Sequence, residues 1–225
     1  MKQKGFTLVE IAIVLVIIGL LLGGILASQS IISGAKAKDV IAIVGDLRTA
    51  TAYFKQRYSY LPGDLPNPQN YITTVPVLAA GTGGNIGDGS IDGAVNGATG
   101  QATAGSEVAQ APWQLYNAGL IGTINSSDPT RYLKTTFGAV QIVSQATANL
   151  LVQGGYPTVP GPGVATGFTT ANPAARNAIV FFNLPCDVAN EVDLKLDDGN
   201  LGTGNGQGSA ACAGSNTLPV YAIPL

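Results

Sequence analysis

The sequence predicts an α+β protein in which a long N-terminal helix packs against an antiparallel β-sheet head. Three observations lead to this class. An apolar run without any charged side chain extends from Ile11 to Ala35. A helical repeat of apolar residues continues beyond that run. Later segments are rich in β-branched and aromatic residues, which are typical of strands. A helix followed by separate strands indicates the α+β class.

The apolar run is long enough to cross a membrane, since about 20 apolar residues span the hydrocarbon core. Lys2 and Lys4 before an apolar stretch also fit a secretory signal peptide. The apolar core of such a peptide has about 7 to 15 residues and leads to a small-residue cleavage site, whereas here Gly23 and Gly24 lie inside the run. An ordinary single-span anchor explains the hydrophobicity but not Glu10, because a carboxylate in a spanning helix is costly and marks a functional site with a partner.

The helix is predicted to continue past the membrane segment. Apolar residues recur at alternating spacings of four and three, which places them on one helix face, and no proline interrupts residues 6–61. The turn YLPGD at residues 60–64 supplies the stop. We therefore expect a membrane helix at 6–35, an amphipathic continuation at 36–61 and a globular head at 62–225. The repeating residues are Val40, Val44, Leu47, Thr51, Phe54 and Tyr58.

The head is predicted to begin with a Gly-rich and Pro-rich surface excursion over residues 62–106. Pro112 is expected to open a short helix that ends at Gly122. Val220 to Ile223 is expected at a sheet edge, because Pro219 and Pro224 bracket it. The other predicted elements are strands at Thr135–Val143 and Ala178–Leu184 and a short helix at Asn190–Leu196.

Composition argues against several functional classes. The net charge is −2, which is unlike a basic nucleic-acid-binding surface. With no His and two Cys, the usual zinc, haem and His-dependent acid–base sites cannot be built within one chain. No nucleophile elbow or phosphate-binding loop is visible either. The sequence therefore predicts a protein that is not an enzyme.

Residues 4–10, Lys-Gly-Phe-Thr-Leu-Val-Glu, and the apolar run after them resemble the N-terminus of type IV prepilins and of type II secretion pseudopilins. Softer likenesses to prepilin-type proteins are the YLPGD turn, WQLYNAGLIG at 113–122 and DLKLDDGN at 193–200. The resemblance implies a pilin-like fold and a leader peptide at 1–5. It also implies that a prepilin peptidase cleaves between Gly5 and Phe6 and methylates the new amine of Phe6. Glu10 would then neutralise the N-terminal amine of a neighbouring subunit.

The function that this resemblance implies is that of a structural subunit of a type IV pilus or related filament. The alternatives are a type II secretion pseudopilin, or a minor pilin that acts as a tip adhesin or a DNA-uptake module. The expected partners are further copies of the chain, related pilins, the prepilin peptidase and an inner-membrane assembly platform. General nucleic-acid binding is not expected. The precursor is expected in the inner membrane, and the mature form in an extracellular or periplasmic filament of a bacterium.

The two cysteines and the acidic C-terminal segment are interpreted on the expectation that the head is exported. Cys186 and Cys212 fit one disulfide in an oxidising compartment, and the alternative is a pair of buried free thiols. Oxygen ligands in the acidic segment suit calcium, and the resemblance supports this because several pseudopilins bind calcium in a nearby loop. The spacing is not that of an EF-hand, which favours a capped surface turn instead. The candidate ligands are Asp193, Asp197, Asp198 and Asn200.

Overall fold

The computed structural model describes residues 7–72, 85–125, 133–153, 167–209, 212 and 217–225. A long helix comes first, and shorter helices then alternate with strands. In chain order the elements are α1 (Leu8–Tyr58), a 3₁₀ turn (Pro68–Asn70), α2 (Glu107–Asn117), β1 (Leu133–Lys134), β2 (Ala139–Ser144), α3 (Gln145–Val152), α4 (Phe168–Ala171), β3 (Asn177–Pro185), α5 (Cys186–Leu196), β4 (Gln207–Gly208) and β5 (Thr217–Pro224).

Helix α1 is continuous, as predicted, but it ends slightly earlier than predicted. It runs unbroken for 51 residues from Leu8 to Tyr58, whereas the sequence predicted a helix up to residue 61. The helix ends because Ser59 adopts a left-handed conformation (φ 66°) and its N–H donates to the carbonyl of Lys55. The stop therefore precedes the YLPGD turn.

The second half of α1 buries the predicted face. Val40, Val44 and Phe54 are fully or almost fully buried, and they belong to the same hydrophobic core as the sheet. Helices α2 and α5 pack against α1. A long helix that shares one core with an antiparallel sheet is the α+β, pilin-like arrangement that the sequence predicted.

Within the described ranges, the sheet has five antiparallel strands in the order β1-β2-β3-β5-β4. The prediction that the last strand lies at an edge is wrong over part of its length. Strand β5 pairs with β3 on one side, and on the other side β4 pairs with Tyr221 and Ala222. The pairing of β3 with β5 skips one residue of each strand between the pairs Phe182–Val220 and Leu184–Leu218. Pro219 is the skipped residue of β5, so its missing N–H breaks no bond of this pairing.

The residue of β3 at this interruption is Asn183, which has a positive φ of 56°. Its neighbours Phe182 and Leu184 are paired with β5, whereas Asn183 is not. Its side-chain amide instead donates to the carbonyl of Ala98 at 2.7 Å. The irregularity in β3 therefore connects the sheet to the loop before α2.

Helix α2 begins earlier than predicted. Ser106 caps it by accepting a hydrogen bond from the N–H of Ala109, and Pro112 lies inside the helix rather than at its first turn. A proline there leaves the carbonyl of Val108 without its usual helical donor. The helix ends at Asn117, and Gly119 follows with a φ of 73°. A side-chain cap that sequence spacing did not single out therefore sets where α2 starts.

The predicted surface excursion is partly buried. Ile91 is fully buried, its N–H donates to Asn177 Oδ1 at 2.8 Å, and its carbonyl accepts the N–H of Ser144 at 2.7 Å. Val95 and Ala102 form a bridge between two segments of the same stretch. Residues 85–106 are thus attached to the sheet, because their backbone groups find partners there despite the glycine-rich composition.

Candidate assembly helix and acidic sites of the head

The first half of α1 presents apolar side chains to its surroundings on all sides. The segment Leu8–Ile25 has a mean hydropathy of 2.8, and none of it is buried in the monomer. It is the one helix among the described residues that is long and apolar enough to cross a membrane. Monomeric soluble proteins rarely expose contiguous apolar surface of this kind, so this half of the helix requires a bilayer or other apolar helices around it.

Glu10 belongs to a capping box at the start of this apolar segment. Its Oε2 accepts hydrogen bonds from the backbone N–H and the hydroxyl of Thr7, both at 2.8 Å. The hydroxyl oxygen of Thr7 accepts the backbone N–H of Glu10 at 3.3 Å. A carboxylate in the first helical turn is also favoured by the helix dipole. Oε1 receives no hydrogen bond from the described residues, so it can accept one from another molecule.

The two cysteines form a disulfide in the structure, which is the pairing that the sequence predicted. Cys186 and Cys212 are 26 residues apart in sequence, and their Cα atoms lie 5.5 Å apart. Cys186 is the first residue of α5, whose buried residues Val188 and Val192 belong to the core. The disulfide therefore fixes the segment after β4 to the helix that packs on α1.

The N-terminus of this chain is a prokaryotic N-terminal methylation motif. The family model of that description matches residues 1–26. Neither a curated protein nor a solved structure matches the chain. The match supports the resemblance to type IV prepilins and pseudopilins, and it agrees with the exposed apolar helix and the α+β head. The chain is therefore pilin-like, and its motif points to a structural protein.

The methylation motif also bears on processing and location. A prepilin-type N-terminus implies cleavage by a prepilin peptidase and assembly with pilins, and it fits an inner-membrane precursor. Gly5 and Phe6, the predicted cleavage and methylation residues, lie outside the described residues. Thr7 is the first described residue and caps the helix, so one residue, Phe6, separates the predicted cleavage point from the helix cap.

The acidic C-terminal segment forms a turn whose carboxylates are occupied by hydrogen bonds. Asp197 accepts the N–H of Gly206 at 2.8 Å, and Asp198 accepts the hydroxyl of Thr203 at 2.6 Å. Asp198 also accepts the N–H of Asn200, and these bonds hold the pKa of Asp198 below its ordinary value. These contacts form a capped surface turn, which is the alternative to a calcium site.

Asp193 differs from the other candidate calcium ligands because its side chain is buried. It is fully buried, and its Oδ1 accepts the hydroxyl of Tyr221 at 2.9 Å. Burial raises the pKa of Asp193 to about 6. In the described part of the chain, no group of three or more His, Cys, Asp or Glu side chains is arranged to hold a metal ion. Calcium at Asp193, Asp197, Asp198 and Asn200 stays a prediction.

A second acidic cluster, which the sequence analysis did not predict, lies at the start of α2. Glu107 is fully buried, its Oε2 accepts the N–H of Asp92 at 2.8 Å, and its Oε1 has no hydrogen-bond partner among the described residues. Asp64 of the YLPGD turn is also buried and accepts the N–H groups of Gly87 and Gly89. Two buried carboxylates from separate elements thus hold the same loop.

The cluster changes the acidity of Glu107. Burial raises the pKa of Glu107 to about 7, the charges of Asp64, Asp92 and Asp88 add to the rise, and the N–H of Asp92 opposes it. A single sequence offers little sign of this, because a glutamate next to a serine cap usually lies exposed in the first helical turn. The loop residues that cover it are 15 or more positions away in the chain.

Proposed function

We propose that this pilin-like protein is a structural subunit of a type IV pilus or a related filament, assembled through α1 after removal of the leader at 1–5. The observation that carries the proposal is the apolar half of α1, which no described part of the monomer covers and whose segment Leu8–Ile25 lies within the residues that the methylation-motif model matches. In a filament, the same residues would pack against α1 of neighbouring subunits, so one surface serves the membrane-held precursor and the assembled state.

The geometry of Glu10 supports the same proposal. Its carboxylate is held at the N-terminal end of α1 by Thr7, while Oε1 remains able to accept a further hydrogen bond. A neighbouring subunit's methylated Phe6 amine would provide a positive partner for it. Pairing matters there because an unpaired carboxylate in an apolar bundle is costly.

The proposal is tested by following the protein in its native cell. We expect antibodies against the head to label filaments along their length, and the protein to be recovered in the fraction that shearing removes from the cell surface. Deletion of the prepilin peptidase should leave the precursor in the inner membrane and empty that fraction. Release of the protein into the medium as single subunits, independent of the peptidase, would contradict the proposal.

The position of the label separates the related roles. Label along the whole filament identifies a main structural subunit. Label confined to filament tips identifies a minor pilin of the adhesin or DNA-uptake kind, and label confined to the periplasm of secreting cells identifies a pseudopilin. All three roles use the same helix, so the position of the label is what distinguishes them.

A further inference from the structure

A groove on the head concentrates positive charge in a protein whose net charge is −2. It lies between the second half of α1 and the residues that enter β3, and its volume is about 480 Å³. Arg48 and Lys55 of α1 line it from one side, and Arg176 lines it from the other. No acidic side chain is among the described residues that line the groove.

The two arginines are held in place without losing their charge. Arg48 Nη2 donates to the carbonyl of Pro224 at 2.6 Å, and Arg176 Nη1 donates to the carbonyl of Asp88 at 2.8 Å. Both acceptors are neutral, and a guanidinium has five N–H donors, so each arginine keeps donors for a ligand. The ammonium group of Lys55 makes no hydrogen bond or ion pair with the described part of the chain.

The acidic residue Asp88 adjoins the groove but is not among the residues that line it. Asp88 precedes Gly89, which lines the groove, but the Asp88 carboxylate accepts the N–H of Ser90 within its own turn. The groove holds three of the seven Lys and Arg side chains that the structure describes. The charge is thus gathered at one place rather than spread over a solvated surface. The other four are Lys36, Lys38, Arg57 and Lys195.

We propose that this groove binds an oxyanion of the phosphate type, either free or carried on a small organic molecule. Planar guanidinium groups match the geometry of phosphate oxygens, and a lysine adds a mobile point charge. The volume lies within the range of about 300 to 1,000 Å³ that is usual for small-molecule sites. Ala52, Leu61 and Ala174 provide apolar wall for the rest of an organic ligand.

The position of the groove argues against a lipid headgroup as the source of the phosphate. Arg48 follows Ile25, the last residue of the segment Leu8–Ile25, by 23 residues of continuous helix. At 1.5 Å per residue this is roughly 35 Å along the helix axis. That distance places the groove beyond the headgroup layer of a bilayer that Leu8–Ile25 spans.

The test uses the full-length protein in a non-ionic detergent, with phenyl phosphate, inorganic phosphate and sodium chloride at matched ionic strength as probes. We expect both phosphate probes to raise the melting temperature saturably by a few degrees, because they bind only the folded protein, and chloride to have no such effect. Tighter binding of phenyl phosphate would identify an organic phosphate as the ligand, and equal binding would identify the free anion. Either outcome supports the proposal.

Three variants locate the binding site. Lys55→Gln breaks no contact within the described chain. Lys55→Gln and Arg176→Gln, each made alone, should need at least about tenfold more phosphate for the same rise in melting temperature, as expected when one charge-assisted hydrogen bond is lost. Arg57→Gln lies in the same helix turn as Lys55 but outside the groove, and it should behave like the wild type. An equal rise in all the variants, or no rise in the wild type, would overturn the proposal. A rise produced by a DNA oligonucleotide but by neither phosphate probe would also overturn it.

Discussion

The carboxylate of Glu10 accepts two hydrogen bonds from Thr7, one from its backbone N–H and one from its hydroxyl, each at 2.8 Å. Glu10 therefore has a partner within its own chain before it meets another subunit. The contact gives this residue two separable properties. It caps α1, and it carries a negative charge to the end of the apolar helix.

Substitutions at Glu10 should separate the charge from the cap. Glutamine fits a capping box as well as glutamate does, so Glu10→Gln removes only the charge, whereas Glu10→Ala removes both properties. If the charge drives assembly, both variants should enter filaments at least about tenfold less well than co-expressed wild-type subunits, since loss of one partner of a buried pair is strongly destabilising. The measurement is the ratio of variant to wild-type protein in the sheared filament fraction.

Thr7→Val is the matched control for this experiment. It removes the hydroxyl that caps the helix, at a cost of about 1 kcal/mol, and leaves the Glu10 charge in place. We expect it to enter filaments nearly as well as the wild type. Normal incorporation of Glu10→Gln together with failure of Thr7→Val would show that the cap, and not the charge, is what assembly requires.

The disulfide between Cys186 and Cys212 should stabilise the head. It closes a loop of 26 residues, which on the chain-entropy model contributes about 3.5 kcal/mol. The double variant Cys186→Ser with Cys212→Ser should therefore melt roughly 7 to 14 °C lower than the wild type for a chain of this size. In exported wild-type protein that is unfolded without reductant, a thiol reagent should label no cysteine, and two labelled thiols per chain would refute the pairing.

Glu107 should make the stability of the head depend on pH. Its pKa rises from 4.5 to about 7 on folding, so the unfolded chain loses this proton first as the pH increases. Folding stability is therefore lost between about pH 4.5 and pH 7, by roughly 3 kcal/mol for a group shifted this far. Glu107 is not the only group that makes folding stability fall as the pH rises, because burial also raises the pKa of Asp64 and Asp193.

A difference measurement isolates the contribution of Glu107. Glu107→Gln keeps an acceptor for the N–H of Asp92 and cannot ionise. Its melting temperature should lie close to that of the wild type at pH 5 and several degrees above it at pH 8. A difference that is the same at both pH values would show that folding does not raise the pKa of Glu107.

The sequence was sufficient for features that depend on local periodicity. The spacing of Val40, Val44 and Phe54 predicted the buried face of α1, and the structure buries all three. Element ends were less predictable, because they depend on single residues such as Ser59, which adopts a left-handed conformation, and Ser106, which caps α2.

Features that require distant segments to meet could not be predicted. Glu107 is buried because the loop at Asp92 folds over it, and nothing near Glu107 in the sequence indicates that loop. Likewise, Arg48 and Arg176 share one groove only because the end of β5 and the start of β3 pack beside α1. The pairing of β4 with part of β5 could not be predicted either, because a strand of two residues leaves almost no sequence pattern.

Calcium at the acidic turn remains open to a direct measurement. Binding would require Asp197 and Asp198 to exchange their hydrogen bonds to Gly206 and Thr203 for a metal ion. Millimolar calcium should then raise the melting temperature, as a ligand of the folded state must, and magnesium should have a weaker effect because it demands stricter octahedral geometry. Identical melting temperatures with calcium and with a chelator would show that the turn is held by its internal hydrogen bonds alone.

The most direct test of the central claim is the mass of the N-terminal peptide in protein recovered from filaments. Processing at the methylation motif should remove residues 1–5 and leave a peptide that begins with N-methylated Phe6, two residues before the first turn of α1. Tandem mass spectrometry identifies that terminus without ambiguity. A filament-borne chain that still begins at Met1, or one that has been cut beyond the apolar helix, would contradict assembly through α1.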